Sequence, residues 1–343
     1  MSFHYPNHGE DSDAGATSSG SLAVTSPPTV TLVVPVHSEK RWDVFLEAMR
    51  ALGHQEPAPA TTVVAVDHNI PLLRRVATEF PNVNVVENCF ARGASGTRNA
   101  GALEAETSLL VFVDSDIIVH NGWLGLLLEP FADPSVVGAG GFVAPRWPTT
   151  EPAWFPPEFG WVVGVSYLGL PTVTARVRNI WSCNMAVRRD AFNEVQGFRV
   201  DYSKVGDSPK SEDTDFCARV TRASKGGVWM FVPQAVVEHE IGPERSGLQF
   251  FVRRCFVEGK AKIEMAHLNF GRSDLGDEAH YVRHAAPASA RHYLRRGVAN
   301  FDLNSIRKAA VIGMGLIAAA LGALVAQALY VARRTVPTQN REV

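Results

Sequence analysis

"LLVFVDSDIIVHNGW", residues Leu109 to Trp123, drives an unbroken apolar run into two carboxylates, Asp114 and Asp116, and then turns apolar again. A run of this kind has the character of a strand covered on both faces. Acids at its end are therefore delivered to the rim of a sheet. Two carboxylates so close repel each other unless something cationic lies between them. A hard divalent ion, Mg²⁺ or Mn²⁺, would serve, because it takes oxygen ligands and keeps positions open for phosphate. The alternative is a pair of solvated turn acids, and a lone D-x-D does not decide between them.

The surrounding chain supplies the context. "TVTLVVPV" (29–36), "TTVVAVD" (61–67) and "NVNVVEN" (82–88) are apolar, β-branched runs that precede the quoted one. Between them, "RWDVFLEAMRALGHQ", "NIPLLRRVATEF" and "SGTRNAGALEAE" have helical spacing, the last opening after a Gly-rich turn. Apolar strands alternating with helices predict a parallel sheet sandwiched by helices, and such sheets bind ligands beyond the carboxyl ends of their strands. Asp67, Asp114 and Asp116 all fall at such ends. Further on, "SVVGAGGFVAP" leads into a Trp/Pro-rich excursion, "RWPTTEPAWFPPEFGWVVG". "NIWSCNMAVRRDAF" reads as strand into helix, "SEDTDFCARVTRASKG" as a helix start, "VWMFVPQAVVEHE" as a late strand pair, and "GLQFFVRRCFVEGKAKIEMAHL" as an amphipathic helix.

Composition excludes several classes. The 343 residues carry a formal net charge of −2, so no broad nucleic-acid footprint is present. The four cysteines, 89, 183, 217 and 255, form no C-x-x-C pair, which argues against a structural zinc site or a disulfide framework. The first 28 residues are rich in Ser, Gly, Asp and Pro and read as a disordered tail without a signal peptide. "AAVIGMGLIAAALGALVAQALYVA", Ala309 to Ala332, is uncharged and long enough to span a bilayer of about 30 Å. It reads as a candidate transmembrane helix, with a buried Ala/Gly-rich core helix as the alternative. Basic residues flank both ends, so charge does not set its orientation.

From about Val30 to Glu240 the chain resembles the family-2 glycosyltransferases of GT-A fold, which use nucleotide-diphospho-sugars. The likeness lies in the order of "TLVVPVHSEK", "VVAVDHN", "GASGTRNAG", "FVDSD", "NMAVRRDAFNEVQGF" and "SEDTDFCARV". It implies a Rossmann-like, mixed but mainly parallel sheet, followed here by the C-terminal hydrophobic helix. Among the site residues it implies, Pro35 and Glu39 stand at the nucleotide edge and Asp67 accepts from an imide N–H of the base, which suits uracil. Arg98 faces the diphosphate or base, and Asn99 supports its turn. Asp114 stands near the ribose and the metal, and Asp116 ligates the metal directly. Asp213 is the general base, with adjacent Glu212 as the other candidate; acids there also suit a helix N-terminus. His239 completes the metal shell or is a satisfied histidine. Arg245 reaches the diphosphate or is solvated, and Arg253 and Arg254 face lipid headgroups, a phosphate-bearing acceptor or water. The chemistry is self-consistent: a departing diphosphate needs its charge neutralised, and the acceptor hydroxyl needs a base.

Three departures stand out. Val36-His37-Ser38 replaces the usual residues after the first proline, His68-Asn69 follows Asp67, and no Q-x-x-R-W motif follows, which argues against a polymerising enzyme. The expected organisation is a tail (1–28), a catalytic domain (29–245), a helical, partly basic juxtamembrane region (246–308), the apolar helix (309–332) and a tail (333–343). The expected activity is metal-dependent, inverting transfer from a nucleoside-diphosphate sugar, UDP-linked, to a glycan or lipid-linked acceptor. The enzyme would be held at the cell membrane with its catalytic domain cytoplasmic. A retaining transferase, a haloacid-dehalogenase-like phosphatase using Asp114 as nucleophile, and a non-catalytic membrane scaffold are the rival readings. Trp154, Phe155, Phe159 and Trp161 either stack on a sugar, meet lipid, or form a local apolar cluster.

Overall fold

The computed structural model describes residues 29–204, 210–267 and 281–335. The tail expected at 1–28 and the last eight residues lie outside the described residues.

The first half follows the sequence pattern closely. β1 (Val30–Val36) pairs in parallel with β2 (Thr61–Val66) and with β4 (Leu109–Val113), and β2 pairs in parallel with β3 (Asn84–Glu87). β4 is wholly buried, as its lack of alternation requires. α1 (Trp42–Gly53) buries Phe45, Ala48, Met49 and Leu52, the i, i+3, i+4, i+7 stripe of a helix lying on a sheet. α2 (Ile70–Glu79) starts where the Asn69 side chain accepts from the Leu72 amide at 3.2 Å and Pro71 occupies the first turn. α3 (Ala94–Leu103) is buried from Ser95 to Ala102, because small residues such as Gly101 let its backbone lie directly on Val33 of β1.

The second half widens the sheet and mixes its directions. β5 (Ile117–Val119), α4 (Trp123–Leu128), β6 (Val136–Arg146), β7 (Ala175–Val177), β8 (Asn184–Arg188), α5 (Arg189–Glu194), α6 (Glu212–Ala223) and β9 (Val228–Glu240) follow in order. The strand order is β3-β2-β1-β4-β8-β6-β9-β5, with β7 also on β9. β8 runs antiparallel to β4 and β6, and β9 runs parallel to β6 but antiparallel to β5 and β7. The sheet is thus mixed as expected, parallel through its first four strands and again between β6 and β9. The late strand pair expected at 228–240 is instead one strand of 13 residues. Pro233 misleads there: the register with β6 jumps from Gly141↔Val232 to Val143↔Val237, so the proline sits in a bulge where its missing N–H costs no ladder bond.

The C-terminal part is helical: α7 (Leu248–His267), a π turn (Tyr281–Ala285), α8 (Ala286–Asn300) and α9 (Leu303–Thr335). Residues Leu303–Ala332 of α9 are long and apolar enough to cross a membrane. That helix does not stand alone. Along one side it packs in parallel against α7, through Gly259 facing the Ala319 carbonyl and Gly322 facing the Phe256 carbonyl, with no room for a Cβ at either. Further along, His267 stacks on Tyr330 at 3.5 Å and its Nε2 lies 3.0 Å from Gln327 Oε1. α7 in turn rests on the sheet-bearing half: Tyr202 Oη donates to the Ala261 carbonyl at 3.3 Å, and Lys210 Nζ pairs with Glu264 at 2.8 Å. The aromatic excursion forms this junction. Phe155 and Phe159 are buried around Phe251, with ring centroids 6.1 and 5.2 Å from it, and Trp154 meets it edge-on at 5.9 Å. Of the roles open to these rings, the local cluster is the one observed for Phe155 and Phe159.

The glycine seam gives a stability test. Gly259→Ala and Gly322→Ala each overpack the α7–α9 contact, at about 1–3 kcal/mol, and should lower the thermal midpoint by a few degrees. Gly53→Ala, where a Cβ meets nothing within 4 Å, should not. Thermal unfolding followed by circular dichroism reads both.

Candidate active site

The D-x-D acids sit at the turn between β4 and β5, closed by the Ile117 amide donating to the Asp114 carbonyl at 3.1 Å. Because β5 pairs antiparallel with β9 in the register Ile117↔His239, Asp116 is set beside the end of β9. His239 Nε2 lies 3.5 Å from Asp116 Oδ2, and its buried Nδ1 has no hydrogen-bond partner. Gly164 (φ +83°) lies against the imidazole; any side chain there would press on the ring as well as adopt a strained backbone.

Asp116 is surrounded by positive charge. Arg41 Nη1 donates to its Oδ2 at 2.8 Å and to the Glu240 carbonyl at 3.1 Å, while Nη2 reaches Glu244 Oε1 at 3.2 Å. Burial would raise the Asp116 carboxyl, but His239, Arg41 and Arg245 together hold it well below the usual carboxylate range. Arg245 thus turns toward the site. Arg41 was not singled out by sequence; its signal is its place just beyond the carboxyl end of the first strand, two residues after Glu39.

Behind Asp114 stands Arg98. Its side chain is 5% exposed, and Nη2 donates to Asp114 Oδ1 at 2.6 Å while Nη1 lies 4.0 Å from Glu212 Oε1. Desolvation works against its charge, yet Asp114, Asp213 and Glu212 outweigh it and raise the pKa further, so the guanidinium stays cationic. The resemblance implies that Arg98 faces the diphosphate or base; in the structure its guanidinium is buried as a counter-ion to Asp114, with Glu212 and Asp213 close by.

Glu212 and Asp213 open α6 from the Ser211 cap position. Glu212 Oε2 and Asp213 Oδ1 are buried without partners. Burial raises both carboxyls: the neighbouring Asp213 adds to this at Glu212, whereas Arg98 and hydrogen bonding from Ser182 moderate it at Asp213. Glu212 is the deeper of the two, and Asp213 is partly open to the cleft.

The nucleotide-edge candidates lie farther along the same rim. Asp67 follows β2, separated from Asp114 by β1, about 10 Å across two strand spacings. Its Oδ1 accepts from Asn88 Nδ2 at 2.8 Å and its Oδ2 from the Gly93 amide at 3.1 Å, so it ties down the loop leading into α3. Glu39 is exposed and pairs with Arg75 at 2.7 Å, whose guanidinium lies 3.9 Å from the Trp42 ring centroid. Pro35 sits in β1 opposite Ala65. Asn99 reaches beyond its own turn: it accepts from the Phe198 amide at 2.9 Å and donates to the Phe198 carbonyl at 2.8 Å, clamping the segment after α5. Arg254 pairs with Glu258 at 2.7 Å on α7, and Arg253 is exposed.

The structure therefore brings Asp114, Asp116, His239, Arg98, Glu212 and Asp213 together, adds Arg41, Arg245 and Ser182, and leaves Asp67, Glu39 and Pro35 on the adjoining edge. Among the described residues no three His, Cys, Asp or Glu side chains gather tightly enough to hold an ion unaided. Asp116 and His239 could offer two ligands, at a position where a carboxylate oxygen already accepts a cationic guanidinium. The donor set fits a hard divalent ion whose remaining positions are filled by phosphate and water.

Comparison with known proteins agrees with this architecture. Residues 31–196 match the family model described as glycosyl transferase family 2. The chain is 30% identical over 241 residues to the glucosyl-dolichyl phosphate glucuronosyltransferase of Haloferax volcanii, covering 69% of this chain and 77% of that one. It is 29% identical over 188 residues to a pre-mycofactocin glycosyltransferase of Mycobacterium tuberculosis, spanning only 36% of that protein. Among solved structures, a mannosyltransferase of Pyrobaculum calidifontis in complex with GDP-Man and Mn²⁺ superposes with a TM-score of 0.56 at 16% identity, covering 88% of each chain. GalNAc-T7 with UDP, GalNAc and Mn²⁺ superposes at 0.50 and 16% identity, with 74% of this chain and 53% of that one covered. These two likenesses bear on the fold, and with the sequence matches they lead to one assignment: the chain belongs to glycosyltransferase family 2.

Proposed function

We propose that the chain transfers a sugar, with inversion, from a nucleoside-diphosphate donor, UDP-linked, to a hydroxyl of a lipid-linked or cell-envelope glycan. The observation that carries this reading is the arrangement around Arg98: Asp116 and His239 on one side of Asp114, and Asp213 with a buried, partnerless oxygen on the other. Asp116 and His239 would hold Mg²⁺ or Mn²⁺, with Asp114 beside them; when bound, the ion supplies positive charge to the departing diphosphate. Arg245 faces the same side and adds to that neutralisation. Asp67 offers its remaining lone pairs to an imide N–H of the base, a carboxylate having room for about four acceptor contacts. Asp213 takes the proton of the acceptor hydroxyl as that oxygen attacks the anomeric carbon. Glu212, the deeper of the two, is raised by burial and by the Asp213 charge, so it retains its proton while Asp213 ionises. Inversion is carried over from the family resemblance. The solved neighbours hold UDP or GDP-Man with Mn²⁺, which supports a nucleotide sugar and a divalent ion here. The archaeal relative is named for a glucosyl-dolichyl phosphate, which supports a lipid-linked acceptor. We read the catalytic half as cytoplasmic and associated with the membrane through the C-terminal helices.

Titrating UDP and GDP sugars with Mg²⁺ and Mn²⁺, by calorimetry and by product analysis, tests the assignment; binding of GDP sugars alone would overturn the uridine reading. Asp116→Asn should weaken Mn²⁺-dependent UDP binding by more than the roughly 10–100-fold that outer-shell changes cost at metal sites, with unchanged circular dichroism. Unaltered affinity would remove Asp116 from the site.

Asp213→Asn should spare donor affinity yet lower kcat by about 10²–10⁴. Because both carboxyls hold their protons to higher pH than free ones, the base form accumulates only above the ordinary carboxylate range. The acid limb of kcat/KM should therefore lie above that range. Glu212→Gln, which replaces a protonated neighbour by a neutral amide, should leave that limb where it is.

A further inference from the structure

We propose that α8 and the outward face of α9 form a docking surface for an anionic lipid bilayer, on which the chain lies in the membrane plane instead of threading it. The inference deepens the lipid-linked acceptor reading but rests on separate residues.

Two observations carry it. The first concerns what an upright α9 would take with it. Its inner face is sealed to α7 over the whole stretch from Gly315, which touches Phe251, to Tyr330, stacked on His267. Along that stretch α7 carries Arg254 and Lys262 paired with Glu258, and Glu264 paired with its own Lys260 and with Lys210 from outside the helix. Lys210 and Tyr202 belong to the catalytic half. A crossing α9 would drag this ionic ladder and part of the catalytic domain to the depth of the hydrocarbon, where charged side chains are strongly disfavoured.

The second concerns the face that α7 leaves uncovered. Positions 303, 307, 310, 314, 317, 321, 324, 328 and 331 follow alternating steps of four and three, so they form one helical stripe, and all are exposed. Every one is apolar except Arg307. Ile317 and Leu324 are 63% and 66% exposed. The stripe runs about 42 Å at 1.5 Å per residue, longer than the about 30 Å of hydrocarbon a crossing helix needs. At its start the chain turns sharply: Phe301 takes φ +51° and Gly297 lies against Ile306. The turn leaves Phe301 93% exposed beside exposed Leu303. On α8, Arg291, Leu294, Arg295 and Val298 share one exposed face by their i, i+3, i+4, i+7 spacing. An aromatic tip, an apolar stripe and a basic fringe are the features of a helix resting at an anionic headgroup boundary. Charge decides between lipid and a second copy: pairing two such faces would bring arginines together, whereas acidic headgroups complement them.

The test uses the full chain and vesicles of phosphatidylcholine with and without phosphatidylglycerol. Co-sedimentation should rise at least tenfold with the anionic lipid and fall with added salt. Phe301→Asp combined with Leu303→Asp should abolish it while the circular dichroism spectrum and donor binding stay unchanged, since both side chains are exposed. Membrane-bound protein should be released by alkaline carbonate. Resistance to carbonate, with a C-terminal tag protected from protease in sealed vesicles, would overturn the proposal in favour of a crossing helix. Equal binding to neutral vesicles, or a dimer by light scattering that Ile317→Asp dissolves and no vesicle binding, would overturn it as well. Failure of the lipid-linked acceptor reading would show only in the transfer assay, so the two fail separately.

Discussion

A single buried guanidinium holds the site together. Arg98 is placed by α3, whose small residues let it lie on β1, and its charge is met by Asp114 from the end of β4 and by Glu212 and Asp213 from the start of α6. Removing a buried charge of this kind strands its partners. Without it three carboxylates from two distant segments would repel one another across the cleft. The N-terminal parallel half and the mixed second half are therefore joined electrostatically at the very place where they are asked to act. Asn99, the next residue, adds a geometric joint by clamping Phe198.

Much of this was legible in the residues, for identifiable reasons. The parallel half reads clearly because its strands lack alternation and end in acids, a pattern only a doubly covered sheet explains. Asp114 and Asp116 could be placed because strand ends are marked locally, whereas Asp213 is singled out by the family resemblance. The inward direction of Arg98 could not be read locally, since it depends on which of several distant acids lies nearest. Arg41 escaped notice because a basic residue in a polar turn carries no local mark; its partners are 75 and about 200 residues away. β9 was divided at Pro233 because a proline ordinarily ends a ladder, and the bulge that accommodates it is a property of the pairing with β6. The C-terminal helix reads as either a membrane span or a buried Ala/Gly-rich helix, because its own run does not say that α7 is the partner sealed to it at Gly259 and Gly322.

The aromatic excursion and the C-terminal helices bear on one another. Phe155 and Phe159 enclose Phe251, Gly315 lies against Phe159, and Tyr281 donates from its hydroxyl to the Glu158 carbonyl at 2.9 Å. The irregular loop is thus the socket for the helical layer, and Gly164 at the end of the same loop is the contact that seats His239. Catalytic rim and helical layer share one short stretch of chain, so the position of one constrains the position of the other.

Cys183, just before β8, lies within the field of Asp114, Asp116 and Asp213, with Arg98 opposing them only in part. Burial and these carboxylates raise its pKa well above that of a free thiol. Oxidants and alkylating agents act on the thiolate, so the sulfur is kept chemically quiet first by its burial and then by the acids around it.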